Sequence, residues 1–321
     1  MKCIVPIQNL VIEEIIELDD AILVPAHVYQ YTEIYRDFYE EEASLVSKVF
    51  DILNNCTLGY KSQFTDFVTA IIDYPVTKEQ FENTVPLKDF YLLERICTKV
   101  DRCLDKIRLK KCYFGNKELL PGIAGVIGNY QRGFVIDMNS NLMRDMLGHV
   151  YKTFSIPGIG LDFDSYDLDN DEKFDTLFMT DRTDEVFLSC RSAIARINEA
   201  YYFNNYNAAF VYLMSTLEML ASDEYMQFKK VKTNIAAFIA SNKSDYHKTC
   251  ELLRNISEDI RTEIVHNGKS IYDLVSSEQE LIKLFGFIVD TITTYCENVI
   301  DTGITNFNDL KEARKTKIES F

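Results

Sequence analysis

From Asp184 to Asp301 the chain holds a helical apolar period almost throughout, and no proline interrupts it. Proline inside a helix deletes a backbone bond and clashes with the preceding turn, so its absence lets long helices run. The period predicts helices over 184–202, 206–222, 227–240, 245–267 and 277–300. The breaks fall at Asn204–Asn205, Ser222–Asp223, Ser241–Asn242 and Asn267–Gly268. Each supplies a cap or turn residue. Gly268 stands where a helix end calls for a left-handed residue. Consecutive amphipathic helices with no strand between them must bury their apolar stripes against one another, which predicts a bundle. The tail after Gly303 is polar and basic and is expected to be loosely docked.

The first half reads differently. Residues 2–25 carry the short apolar runs CIVPI, LVIEEII and AILVPA, which predict short strands in a hairpin-like arrangement. Tyr29 to Asn54 shifts to helical period, with Glu40, Glu41 and Glu42 on the wet side. A further helix is predicted over 87–106, after the breakers Pro75 and Pro86. Residues 107–160 are glycine-rich but have neither Walker nor Rossmann spacing, so they read as irregular loop and short strand. The segment DFDSYDLDNDEKFD, 162–175, is the sharpest change in composition. Asp167, Asp169 and Asp171 invite a calcium-loop reading, but Glu172 and Phe178 stand where that loop needs Gly and Glu. It reads instead as an acidic loop at a domain boundary. The expected fold class is therefore α+β. A mixed α/β region, 1–180, of regulatory or sensing character precedes an all-α bundle, 181–303, and a polar tail, 304–321.

The net charge of −16 argues against a general nucleic-acid coat, which carries a basic stripe. A nuclease with a small focused basic site stays compatible with it. Eight cysteines are scattered without a Cys-x-x-Cys pair. The N-terminus turns acidic within a dozen residues, unlike a secretion signal. No apolar run reaches membrane-spanning length. These features predict a cytoplasmic chain with reduced thiols, no membrane association, no metal site and no cofactor.

The chemistry concentrates in IRTEIVHNGKS, 260–270, where Arg261 and His266 stand five apart at a helix end. A guanidinium grips a phosphate with a planar fork, and a neutral imidazole accepts a proton near neutral pH. Together they are the minimum parts for cleaving RNA without a metal: one group holds the phosphate, the other deprotonates the neighbouring 2′-hydroxyl. On a wheel, Leu253, Ile256, Ile260 and Ile264 form the apolar face, with Arg261 and His266 on opposite flanks roughly 140° apart. Val265 lies between them on the outer side. That geometry suits a site at a two-fold contact, where two chains contribute two histidines and two arginines. The alternative is a surface ion pair of Arg261 with Glu258 and a histidine favoured by the helix dipole.

Further residues support this candidate or stand apart from it. Glu218 falls on a largely apolar stripe and needs a partner: Arg191 or Arg254 in a structural pair, or Arg261 in an orienting one. Asn267 either donates to the phosphate or caps the helix. Arg95, Lys99, Arg102 and Lys106 recur on one helix face. They form either a backbone-contact strip for RNA or a solvated face paired with Asp101 and Asp105. Tyr201, Tyr202, Phe203, Tyr206, Phe210 and Tyr212 either stack bases or pack the core.

ISEDIRTEIVHNGKSIYDL resembles the signature of HEPN domains of the Apea-like group: Arg, four residues, His, then a glycine-containing turn. NYNAAFVYLMSTLEMLAS is similar to that group's apolar helix with a late glutamate, here Glu218. DRCLDKIRLKKCYFGNKELLPGIAG resembles the α+β region preceding the bundle in some members. The resemblance covers roughly 185–302 in the right helix order. It implies a dimerising bundle, often a metal-independent ribonuclease in toxin or anti-phage systems and sometimes under an antitoxin or other regulatory partner. By that resemblance Arg261 binds the scissile phosphate and His266 is the general base. Thr262 stands where many members carry Asn, Asp or His. Members that bind RNA without cutting it leave a non-catalytic scaffold, binding RNA or protein, as the second reading.

Overall fold

A computed structural model describes residues 1–18, 20–25, 48–49, 52–53, 67–83, 85–127, 130–150, 160–164, 175–178, 181–224 and 226–321. The helix expected over Tyr29–Asn54, apart from helical positions 48–49 and 52–53, lies outside the described residues. So does most of the acidic loop, 165–174. The fold is α+β, an N-terminal antiparallel sheet followed by a helical region. The chain divides into two compact units, Met1–Cys112 with Asn116–Asp169, and Tyr113–Gly115 with Asn170–Phe321. Among the described residues, no helix is long and apolar enough to cross a membrane.

The first unit is built on strands β1 (Lys2–Gln8), β2 (Leu10–Val11), β3 (Ile16–Leu18), β4 (Ala21–Pro25), β5 (Phe67–Asp73), β6 (Val126–Ile127), β7 (Tyr130–Asp137), β8 (Leu142–Val150) and β9 (Leu161–Asp162). The main sheet runs β3-β4-β5-β1-β7-β6, with β8 also paired to β7. β1 is central, antiparallel to both β5 and β7. Its CIVPI run is buried at every position, as expected of a strand covered on both faces. One face carries Ile4, Phe134 and Ile136, closed by Val49 and Leu53. Helix α1 (Lys78–Glu82) is short, with a capping box at Thr77 and Gln80. Helix α2 (Pro86–Lys111) packs on β1, β7 and β8.

Residues 107–160, expected to be irregular loop and short strand, hold the long β7–β8 hairpin. Its alternation is hidden in the sequence by a register shift between Tyr130 and Arg132 and by polar residues that pair within the fold. Arg132 bonds Asp145 across the strands, and Arg144 bonds Asp89 of α2. The turn is held by Asp137, which accepts from the Asn139 amide and the Ser140 hydroxyl.

In the second unit the helices are α3 (Glu185–Tyr201), α4 (Tyr206–Ala221), α5 (Phe228–Ile239), α6 (Lys243–Asn255), α7 (Thr262–Asn267), α8 (Glu278–Asp301) and α9 (Phe307–Ser320). Asp184, Asn205, Asn242, Ser277 and Asn306 each accept an amide at a helix start, which explains where the period breaks. Tyr201, Phe187, Phe210, Phe238, Phe285 and Tyr295 form the largest fully buried side chains of this unit.

The tail is not loose. Helix α9 buries Leu310 and Arg314. The Arg314 guanidinium donates to the carbonyls of Leu220 and Ala221 and to the Tyr295 hydroxyl. It thereby satisfies the open end of α4, where the last carbonyls lack intrahelical partners. Read alone, the tail's charge hid this role.

Candidate active site

The segment carrying Arg261 and His266 is not one uniform α-helix. Between α6 and α7, Ile256–Arg261 forms a π-helical turn. Such turns insert an extra residue into the helical register and recur at functional sites. Here the turn changes which residues face inward. Leu253, Ile256, Ser257 and Ile264 are buried, whereas Ile260, expected in the apolar face, is half-buried. The Thr262 amide and hydroxyl both reach back to the Ser257 carbonyl, the hydroxyl at 3.0 Å. Thr262 thus holds the π turn, instead of adding a donor beside Arg261.

Arg261 closes the π turn and meets α4. Its Nη2 lies 2.8 Å from Glu218 Oε1, with about a quarter of each side chain exposed. Of the partners considered for Glu218, Arg261 is the one it takes. Arg191 donates to the Leu177 carbonyl and lies over the Phe178 ring. Arg254 pairs with Glu251 and Glu258, so Glu258 is not the partner of Arg261. The Arg261 Nε is buried without a hydrogen-bond partner among the described residues. That atom is enclosed, so any room for a ligand lies on the exposed quarter of the side chain and not at Nε. A partly exposed cation held by one carboxylate suits an oxyanion ligand.

His266 is exposed in the last turn of α7, where a cation favours the helix dipole. It has no hydrogen-bond or ion-pair partner among the described residues. Val265 beside it is 46% exposed. The C-terminal end is closed by Gly268 at φ 67°, whose amide bonds the Glu263 carbonyl. Asn267 does not cap the helix with its side chain. It donates to Glu263 Oε1 at 2.9 Å, and Lys269 Nζ lies 2.6 Å from Glu263 Oε2. The hydrogen bonds from Lys269 and then Asn267 hold the Glu263 carboxyl below its ordinary range. Asn207, at the start of α4, grips the turn beyond: it donates to the Lys269 carbonyl at 3.1 Å and accepts the Ile271 amide at 2.8 Å. Nothing local in the sequence marks Asn207 or Lys269 for these roles, because their partners come from another helix or across the turn.

The structure brings Arg261 and Glu218 together and leaves His266 on the outer surface. It distributes the basic strip differently from a free contact surface. Lys99 pairs with Asp20 at 3.2 Å and Arg102 with Asp105 at 3.4 Å. Lys106 is half-buried, and Arg95 is exposed. The aromatic set also divides. Tyr201 and Phe210 are core, Tyr212 bonds Glu199 and lies under the Arg196 guanidinium, and Tyr206 lines a cavity. Among the described residues no group of three or more His, Cys, Asp or Glu is placed to hold a metal.

Burial pushes the Cys3 and Cys112 thiols up to about 12 and those of Cys97 and Cys296 well above their ordinary value. Such thiols stay protonated and are poor nucleophiles. The cysteines therefore offer no competing catalytic centre at these positions. Compared with family models, with characterised proteins and with solved structures, the chain matches none.

Proposed function

We propose that the chain is a metal-independent endoribonuclease of the HEPN type, acting in the cytoplasm in anti-phage defence or as a toxin. The observation that supports this most directly is Arg261: a guanidinium fixed by Glu218 and about a quarter exposed, five residues before an exposed imidazole. His266 takes the proton of a 2′-hydroxyl. The freed oxygen attacks the adjacent phosphorus, the 5′-oxygen leaves, and a 2′,3′-cyclic phosphate remains. Arg261 neutralises the non-bridging oxygens, whose charge grows in the transition state. Glu218 is a positioning residue that aims the fork.

The two groups lie on different flanks of the helix segment, so the reading requires a homodimer. A two-fold pairing of these segments supplies a second histidine as acid for the leaving oxygen. Val265 stands in the middle of the surface such a pairing covers. An antitoxin or regulatory partner would act by covering the same surface. The second reading, a non-catalytic scaffold for RNA or a protein partner, is favoured by the same separation if the protomer works alone.

Purified protein with single-stranded RNA in EDTA separates the readings. Ribonuclease action predicts cyclic-phosphate ends and a loss of at least about a hundredfold in both Arg261→Ala and His266→Ala. Cutting that survives both substitutions removes the assignment. RNA binding without cutting by the wild type selects the scaffold.

A further inference from the structure

A cavity of about 300 Å³ opens in the second unit. Its walls include Phe114, Tyr206, Tyr272 and Phe285, with Ser276 and Glu278 among its polar lining. Phe114 and Phe285 meet at a 30° tilt with centroids 4.2 Å apart, and Tyr206 stands edge-on to Tyr272 at 6.0 Å and to Phe285 at 5.5 Å. The inner rings are thus packed on one another, while Tyr272 is 61% exposed. Glu278 is exposed and has neither an ion-pair nor a hydrogen-bond partner among the described residues. The Ser276 hydroxyl is turned to Glu280.

This cavity is tied to the candidate site by the chain itself. Tyr272 follows His266 by six residues, at most about 20 Å of extended chain. Between them the turn is pinned by Asn207, the neighbour of the wall residue Tyr206. Asn207 thus joins the start of α4, beside Tyr206, to the turn after His266.

We propose that the cavity is a nucleobase subsite: it takes one unpaired base of single-stranded RNA, stacked on Tyr272, and uses Glu278 to select bases with an exocyclic amine over uracil. The inference rests on the ribonuclease reading for its substrate but not for its chemistry. Aromatic rings stack any base. A carboxylate accepts from amino groups and repels phosphate, so it orients the base inward and the backbone outward. Guanine, with two adjacent N–H donors on one edge, matches a carboxylate best. Uracil has no exocyclic amine: carbonyls flank its single N–H on both sides. Burial, then Tyr272 and Glu278, raise the Tyr206 phenol above its ordinary value.

The test is calorimetry of the full chain with guanosine, adenosine, cytidine and uridine 3′-monophosphates, with ribose 5-phosphate as the baseless control. Guanosine monophosphate is expected to bind at least about tenfold tighter than uridine monophosphate. Tyr272→Ala should weaken all four by about five- to a hundredfold. Glu278→Ala, which deletes the acceptor, should remove the preference while leaving uridine binding in place. Both side chains are exposed, and unchanged thermal unfolding of each variant verifies the fold. Equal binding of all four nucleotides and of ribose 5-phosphate overturns the subsite, as does indifference to both substitutions, which leaves the cavity to a protein side chain. Base selectivity without RNA cleavage upholds the subsite and removes the ribonuclease reading. Cleavage that depends on Arg261 but not on base identity does the reverse.

Discussion

Two arginine–carboxylate pairs, one in each unit, put the same chemistry to opposite uses. Arg108 of α2 is 3% exposed. It donates to the Asp101 carboxylate at 2.6 Å, the Asp101 carbonyl and the Gly122 carbonyl, and lies 3.9 Å from Asp105. Asp101 in turn accepts the Ala124 amide. The cluster fastens the PGIAG segment onto α2. Arg261 has the same guanidinium, one carboxylate partner and a partly open surface. A guanidinium with its donors filled by protein acts as a structural staple. One held at a single edge keeps capacity for a ligand. The difference lies in saturation and exposure, not in residue type.

The comparison is tested most severely by Arg108→Ala. Removing one partner from a buried ion pair leaves the other uncompensated, so denaturant unfolding should show a loss of about 3–5 kcal/mol. Arg261→Ala should lose no more than about 1 kcal/mol, since its pair is partly screened by solvent. Equal stability losses at the two positions would make Arg261 a staple as well.

A second pair of substitutions sharpens the contrast between the units. Gly125 and Gly268 both have positive φ, 81° and 67°. A Cβ on Gly125 would stand 2.4 Å from Cys97 Sγ, whereas one on Gly268 meets nothing within 4 Å. Gly125→Ala therefore combines backbone strain with overpacking and should cost about 2–4 kcal/mol. Gly268→Ala carries the left-handed cost alone, about 1 kcal/mol. Thermal unfolding of both variants checks the order.

Glu218→Gln keeps the shape of the partner and deletes its charge. RNA cleavage should fall about tenfold while stability changes by less than about 1 kcal/mol. A variant as active as wild type would show that Arg261 needs no aiming.

The smallest effect concerns the turn after His266. Glu263 has its carboxyl pKa lowered by Lys269 and Asn267. A depressed folded value means the stabilising effect is present above the ordinary value near 4.5 and is lost as pH falls through the folded value. Amide exchange at Gly268 and Lys269 should stay constant from pH 7 to 5, after correction for intrinsic rates, and speed up only in stronger acid. A change centred above pH 5 would assign the tether to another group.

Much of the second unit was legible because its signals are local. The five predicted helices end within a few residues of α3, α4, α5, the α6–π–α7 segment and α8, since Asn205, Asn242 and Ser277 bond amides only two or three residues away. Gly268 is left-handed as its position requires. The β7–β8 hairpin was not legible, because its polar residues find partners on a neighbouring strand and on α2. Nor was helix α9, whose Arg314 finds carbonyls of α4 far back in the chain. In the candidate site, the five-residue step from Arg261 to His266 was plain. The π turn was not, because a fixed angle per residue cannot register an inserted position.

By itself the sequence determined the order and ends of the bundle helices, the α+β division, and the chemical kinds of group available at 260–270. Tertiary structure alone decided that Glu218 belongs to Arg261, that Thr262 serves the π turn, and that Asn207 and Tyr272 link the helix end to a cavity. The physical reason is range. Periodicity and caps act over one or two turns, while saturation of a cation depends on which distant carboxylates and carbonyls the packed chain brings to it.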